Sequence, residues 1–280
     1  MKQKLFYFFE KLAQNKTIFS FLLRKIFKES KFISLENLIK LNALARPQYA
    51  YCAYYSALLA KKLSYDKISF IEFGVAKGNG LLYLENLAAR IEKELNIKIE
   101  IYGFDTGEGL IHPDGYRDLP YFFEGGMYKM DIDKLQKRIS KSKLIIGDVK
   151  HTVKNFFTDY KPAKIAAIFN DLDYYSSTIN SFNLFNADVE NFLPRVFCYF
   201  DDVVGSSEEM YSEFSGELLA INEFNNSNEN SKFSLNTNLQ HLDLNWKNQI
   251  YYLHHFKHSD YNVFIDPKEQ IGINNSISLK

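Results

Sequence analysis

The sequence predicts an α/β fold, a doubly wound, mostly parallel seven-stranded sheet with an N-terminal helical extension. Short β-branched and aromatic runs alternate with runs of helical apolar spacing across residues 65–205. The connections between them are mostly only a few residues long, which suits parallel strands joined by crossover helices. Four of the predicted strands also end in an aspartate. A length of 280 residues fits one large domain with appendages, and 46% apolar with 24% charged residues excludes wholesale disorder.

Leu38, Ile39, Leu41 and Leu44, then Tyr54, Leu58 and Leu59, predict helices over residues 35–63, interrupted at Arg46-Pro47. Ile68 to Phe73 reads as a strand running into glycines, followed by a helix from Leu81 to Leu95. Ile97 to Phe104 is a strand ending at Asp105. Leu135 to Ser140 is helical, and Lys143 to Ile146 is a strand ending at Asp148. A short helix over Val153 to Asp159 leads to the strand Ile165 to Phe169, which ends at Asp171. Ser177 to Leu193 reads as a helix, and Val196 to Phe200 as a strand ending at Asp201. A further helix is expected to begin in the segment Glu213 to Ala220, with Glu213 or Glu217 near the site. Two last strands, paired antiparallel at the sheet edge, are expected within residues 250–265. The order is Rossmann-like. The expected organisation is a helical arm or cap over residues 1–64 and a ligand-binding domain over 65–280. Insertions are expected at 106–134 and 206–249, the second taking in a tract with nine asparagines between 222 and 250 that reads as compositional bias.

Lys plus Arg and Asp plus Glu both number 34, so bulk charge gives no support to a nucleic-acid binder. The balance hides an asymmetry: residues 1–31 carry eight basic and two acidic residues, leaving −6 on the rest. Lysines between apolar residues at helical spacing make this arm amphipathic. It reads as an arm packing on the body or on a second subunit of a homo-oligomer, or as a peripheral contact with an anionic membrane surface. Cys52 and Cys198 cannot form a disulfide framework. With no leader or spanning segment apparent, the expected location is cytoplasmic, membrane-peripheral if the arm makes that contact.

A parallel strand opens at its carboxyl end into the ligand crevice. Asp105, Asp148, Asp171 and the pair Asp201-Asp202 therefore line one sheet edge, and such a row calls for a cation or a polyol. After the first strand comes Glu72-Phe-Gly74-Val-Ala-Lys77-Gly78-Asn79-Gly80, a tight turn into a helix. Its glycine spacing is not that of the dinucleotide fingerprint. Asp105 can accept from both hydroxyls of a ribose, and Asp148 from an adenine amino group. The loop His112 to Met130 is long and aromatic, with Tyr116, Tyr121, Phe122, Phe123 and Tyr128, and reads equally as a lid or a packed crossover. His112 and His151, which could otherwise serve as a base, read as surface or satisfied histidines, and His254, His255 and His258 do not read as a metal cluster, since 254 and 255 on a strand face opposite ways.

The glycine turn resembles the first motif of class I S-adenosylmethionine-dependent methyltransferases. Gly103-Phe104-Asp105-Thr106-Gly107-Glu108-Gly109-Leu110, Asp171-Leu172-Asp173-Tyr174-Tyr175-Ser176-Ser177-Thr178 and Tyr199-Phe200-Asp201-Asp202 are similar to motifs of the macrocin-type O-methyltransferase family. The resemblance covers about residues 65–205. It implies that Glu72, Gly74, Gly78, Gly80, Asp105 and Asp148 hold S-adenosyl-L-methionine, with Lys77, Asn79, Thr106 and Val149 beside them. It implies that Asp171, Asp201 and Asp202 hold a divalent metal, Mg²⁺ by the preference for hard oxygen ligands. Asp173, beside the metal, and Asp171 would act in catalysis. Lys77, Gly107 and Tyr174 depart from the family pattern. The implied reaction is metal-assisted methylation of a hydroxyl on a sugar, small natural product or polysaccharide. A nicotinamide-dependent oxidoreductase on the same sheet and a non-catalytic cofactor-fold interaction protein are the alternatives.

Overall fold

The computed structural model describes residues 25–265. In chain order its elements are α1 (Leu35–Lys40), α2 (Pro47–Lys62), β1 (Lys67–Phe73), α3 (Asn79–Leu95), β2 (Lys98–Asp105), α4 (Ile132–Gln136), β3 (Lys143–Ile146), α5 (Val149–Thr152), α6 (Phe156–Tyr160), β4 (Ile165–Asn170), α7 (Tyr175–Ser181), β5 (Phe192–Phe200), α8 (Gly216–Ser227), β6 (Ser231–Leu235) and β7 (Ile250–His255). Short 3₁₀ turns fill several connections. The strands form one seven-stranded sheet in the order β3-β2-β1-β4-β5-β7-β6. β3, β2, β1, β4 and β5 pair in parallel, and β7 runs antiparallel between β5 and β6. This is the expected Rossmann-like sheet. The strand order reverses between β1 and β4, where such sheets open a crevice.

Both faces are covered, so the central strands are buried throughout: all of β4, and all of β1 but Lys67. Alternate residues feed two cores. Ile68, Phe70, Ile99 and Ile101 pack under α2 and α3, while Ile71, Phe73, Tyr102 and Phe104 face the opposite layer. Each such aromatic contributes about 1.5–3 kcal/mol by leaving water. α2 begins with Pro47 in its first turn, where a missing N–H costs nothing. Its Ala50, Ala53, Ala57 and Ala60 are wholly buried and let it lie close on β4 and β5. The boundary expected at residue 64 therefore does not divide the core.

Four expectations need correction. The edge partner of β7 is β6, which lies inside the asparagine-rich tract, and residues 261–265 form no strand. Asn225 makes that short strand possible by bonding both Phe233 N (2.7 Å) and Phe233 O (2.9 Å). The segment 206–249, expected as an insertion, thus contributes α8 and an edge strand to the body. The helix expected over 177–193 stops at Ser181, and β5 begins at Phe192, earlier than expected. A register shift against β4 accommodates Pro194, which has no N–H to give the ladder. Finally, the helix expected over 135–140 starts sooner, at Ile132, because Asp131 caps it by accepting from Lys134 N at 3.0 Å. Of the basic arm, residues 1–24 lie outside the described residues; among the described residues no helix is long and apolar enough to cross a membrane.

Candidate active site

At the β1 turn the backbone must pass close to β4. A Cβ on Gly74 (φ +81°) would sit 1.7 Å from the Asp171 carbonyl oxygen, so only glycine serves. Gly80 is needed for another reason: its Cβ would meet Glu72 Oε1 at 1.9 Å. Glu72 is buried behind the turn, where Tyr49 of α2 donates to Oε1 at 2.8 Å and Oε2 has no partner among the described residues. Burial pushes the Glu72 carboxyl up to about 8, against the opposing effects of the Tyr49 hydroxyl and Arg46.

Asp105 fastens this turn. Its Oδ2 accepts from Val75 N and Ala76 N, both at 2.9 Å, and Oδ1 accepts from Gly107 N at 2.7 Å. About one of a carboxylate's four acceptor positions is left. The expectation that Asp105 receives two ribose hydroxyls is thus reduced to one in this conformation. Asp148 caps α5 through Oδ1 and Lys150 N (2.8 Å), and its Oδ2 has no protein partner among the described residues. Thr106 donates to Gly109 O at 2.8 Å and shapes the next turn.

At the ends of β4 and β5 the acids converge. Asp173 N donates to Asp202 Oδ2 (2.8 Å), Tyr211 donates to Asp202 Oδ1 (2.8 Å), and Asp202 N donates to Glu217 Oε2 (3.0 Å). Tyr199 donates to Asp201 Oδ1, as does Gln249 at 3.2 Å. Asp173 holds a left-handed conformation (φ +59°), uncommon for a side chain and a local strain. Burial, with the neighbouring charges of Asp201, Asp202 and Asp173, lifts the Asp171 carboxyl well above its usual range. Burial and Asp202, Asp201 and Glu209 lift Asp173, while Asp202 is raised by burial and Asp201 against the pull of the Tyr211 hydroxyl. Glu217, wholly buried, is raised by burial and by Asp202.

The long loop after β2 packs on itself. Leu119, Phe123 and Tyr174 form a small separate core flanked by Leu110 and Met127. Asp118 ties it to α7: it accepts from Ser176 N at 2.8 Å and Ser176 Oγ at 2.7 Å, and from Asp114 N at 2.7 Å. Tyr121 donates to Glu209 O at 2.7 Å. The packed-crossover reading therefore describes this conformation.

One cavity of about 320 Å³ joins these parts, within the usual size of ligand sites. Of the residues expected to hold a cofactor, Gly74, Asp105, Thr106, Asp148 and Val149 line it. Glu72, Gly78 and Gly80 are buried outside that lining, and Lys77 and Asn79 are exposed outside it. Asp171, Asp173, Asp201 and Asp202 all line it, as do Tyr128 and Glu209. Glu209, Tyr211 and Asp118 were not singled out from sequence. The contacts that bring them to the site, Tyr211 on Asp202, Asp118 on Ser176 and Glu209 O with Tyr121, join separate segments, so sequence pattern did not mark them.

The first half of the cavity, with acceptors at the ends of β2 and β3 around a small-residue turn, fits an adenosine group. The metal expectation fares differently. Among the described residues, no three His, Cys, Asp or Glu side chains are arranged to hold an ion, and Asp201 and Asp202 are engaged by Tyr199, Gln249 and Tyr211. As placed, Asp171, Asp201 and Asp202 do not fit a metal. His254, His255 and His258 bond apart, to Ser234 and Tyr261, to Ser231, and to the Phe192 carbonyl.

No family model matches the chain, and no curated protein matches it. Among solved structures, it is similar to CalS11, a calicheamicin methyltransferase, at 17% identity and a TM-score of 0.52, over 90% of this chain and 91% of that one. It is also similar to the O-methyltransferase NovP, at 12% identity and a TM-score of 0.52, over 75% of this chain and 81% of that one. At these identities the likeness is one of fold.

Proposed function

We infer that the protein is an S-adenosylmethionine-dependent O-methyltransferase acting on a hydroxyl of a sugar or small natural product. One observation carries this reading: a single cavity runs from the Gly74 turn, Asp105 and Asp148 to the acids Asp171, Asp173 and Asp202. Two proteins that share the fold, a calicheamicin methyltransferase and an O-methyltransferase, support it. When bound, the cofactor supplies an electrophilic methyl group. Asp148 would accept from its adenine amino group and Asp105 from one ribose hydroxyl. Phe123 and Tyr128, both on the cavity wall, would exclude water and offer ring faces to a sugar.

The acceptor hydroxyl must lose a proton as it attacks. Asp173 would take it in its ionised form: burial and Asp202 raise its carboxyl to about 9, so it is a stronger base than an ordinary carboxylate, and turnover should rise as pH climbs toward that value. Asp202, bonded to the Asp173 N–H, holds it in position. No step here runs through a metal.

The test is methyl transfer from labelled S-adenosylmethionine to a panel of sugar and phenol acceptors. Asp173→Asn is expected to lower turnover about 100-fold or more at unchanged cofactor affinity. Full turnover in that variant would remove Asp173 from the mechanism. Loss of turnover in EDTA and its return with Mg²⁺ would give Asp171, Asp201 and Asp202 the ligand role that the resemblance implies.

A further inference from the structure

A second cavity, of about 390 Å³, shares no lining residue with the first. Two periodicities build it. On α2, Tyr51, Tyr55, Leu58 and Lys62 recur at helical spacing and form one flank. Beneath them, the antiparallel register of β5 and β7 sets Arg195 opposite His254 and Phe197 opposite Tyr252, and all four turn to the same face. Arg195 and Phe197 precede Asp201 on their strand by about 20 Å and about 13 Å, so this cavity stands apart from the acids at the strand ends.

The rings are held in place. Tyr51 Oη accepts from Asn236 Nδ2 at 3.0 Å, and the Tyr51 ring centroid lies 4.7 Å from that of Tyr55 and 6.3 Å from that of Phe197. Phe197 and Tyr252 meet edge to face at 5.0 Å. Walls of this kind suit a planar aromatic ring.

The charge in the cavity is positive, and no carboxylate lines it. Arg195 is half-buried and pairs with no acid among the described residues. Its Nη2 donates to Tyr261 O at 2.7 Å, and its guanidinium lies 4.4 Å from the Tyr261 ring centroid. A guanidinium has five N–H donors in a fork that matches an oxyanion, and most of this fork is unspent on described acceptors. Lys62, exposed, adds a second cation. His254 adds none: burial and Arg195 hold its imidazole below the ordinary value, and Ser234 and Tyr261 engage its two nitrogens. Asp260, beside Tyr261, is bonded by Tyr65, and Glu190 by Ser259 and Lys164.

We propose that this second cavity binds a planar aromatic compound bearing an oxyanion, a carboxylate or a phosphate, with its ring against Tyr51, Phe197 and Tyr252 and its oxyanion on the Arg195 fork. The site is separate from the methyl-transfer cavity, so the proposal stands whatever that cavity binds.

The test titrates the whole protein with naphthoate, naphthyl phosphate and the neutral naphthalenemethanol, by calorimetry and saturation-transfer NMR, with and without saturating S-adenosylhomocysteine. At least one anion is expected to bind about tenfold tighter than the alcohol, and to keep its affinity beside S-adenosylhomocysteine. The tighter of the two anions names the oxyanion that the fork prefers. Arg195→Gln is expected to bring the anions down to the level of the alcohol. Because Arg195 also holds Tyr261, Lys62→Gln serves as an independent variant at an exposed helix position, expected to weaken the anions about threefold and leave the alcohol unchanged. Equal binding of anions and alcohol, binding by none of the three, displacement of the anions by S-adenosylhomocysteine, or full anion preference in both variants would overturn the proposal.

Discussion

Glu72 illustrates how far a residue can be understood from sequence. Its place ahead of a glycine turn was legible, but its burial was not, because Tyr49 reaches it from α2, 23 residues earlier. The folded-state value of about 8 exceeds the ordinary 4.5. The folded protein therefore holds a proton that the unfolded chain releases. Its contribution to stability is full below the unfolded value and is lost as pH rises through the folded one, at up to about 1.4 kcal/mol per pH unit. Glu72→Gln should flatten the fall in melting temperature between about pH 5 and about pH 9. Equal slopes in the two proteins would mean that Glu72 is ionised in the fold. The strand-end acids were legible individually, because a parallel strand fixes where its last residue goes. Their mutual bonding was not: Tyr211 and Gln249 come from segments with no strand periodicity to place them, and Glu217, expected near the site, bonds the Asp202 N–H.

At the scale of elements, the five parallel strands and the helix between β1 and β2 were readable, the strands because burial on both faces forces long apolar runs. β6 was not readable. With Phe233 as its only buried residue, it is held by Asn225 and by the backbone of β7. The crossover after β2 is likewise held by remote contacts, the Asp118–Ser176 pair among them. Asp118 is wholly buried and joins that loop to Ser176, 58 residues away. Asp118→Ala would leave the Ser176 and Asp114 N–H groups without their acceptor, a loss of about 1–3 kcal/mol. Hydrogen exchange should then rise across residues 106–131 while β1, β2 and β4 keep their protection. Uniform loss of protection throughout the sheet would instead make Asp118 a determinant of the whole fold, and no change would show that the loop is held by its small core alone.

In the whole molecule, the zero net charge of the sequence divides into a basic N-terminal stretch and an acidic cavity. The cavity sits where the strand order reverses between β1 and β4, the position at which a doubly wound sheet offers its ligand crevice. The fold class and the edge that carries the chemistry could be read from alternation and strand ends. Which acids meet around the cavity could not, because that depends on which loops close over that edge.

The central claim is that this cavity binds S-adenosylmethionine, and the most direct measurement is the melting temperature with and without it, alongside calorimetry. At about a hundredfold excess over the dissociation constant, binding adds about 2.7 kcal/mol. In a domain of this size that raises the midpoint by about 5 °C or more. The predicted result is such a shift in the wild type and its loss in Asp148→Ala, each protein compared with its own unliganded midpoint. The absence of both shift and heat in the wild type, or a comparable shift with a nicotinamide dinucleotide instead, would contradict the account.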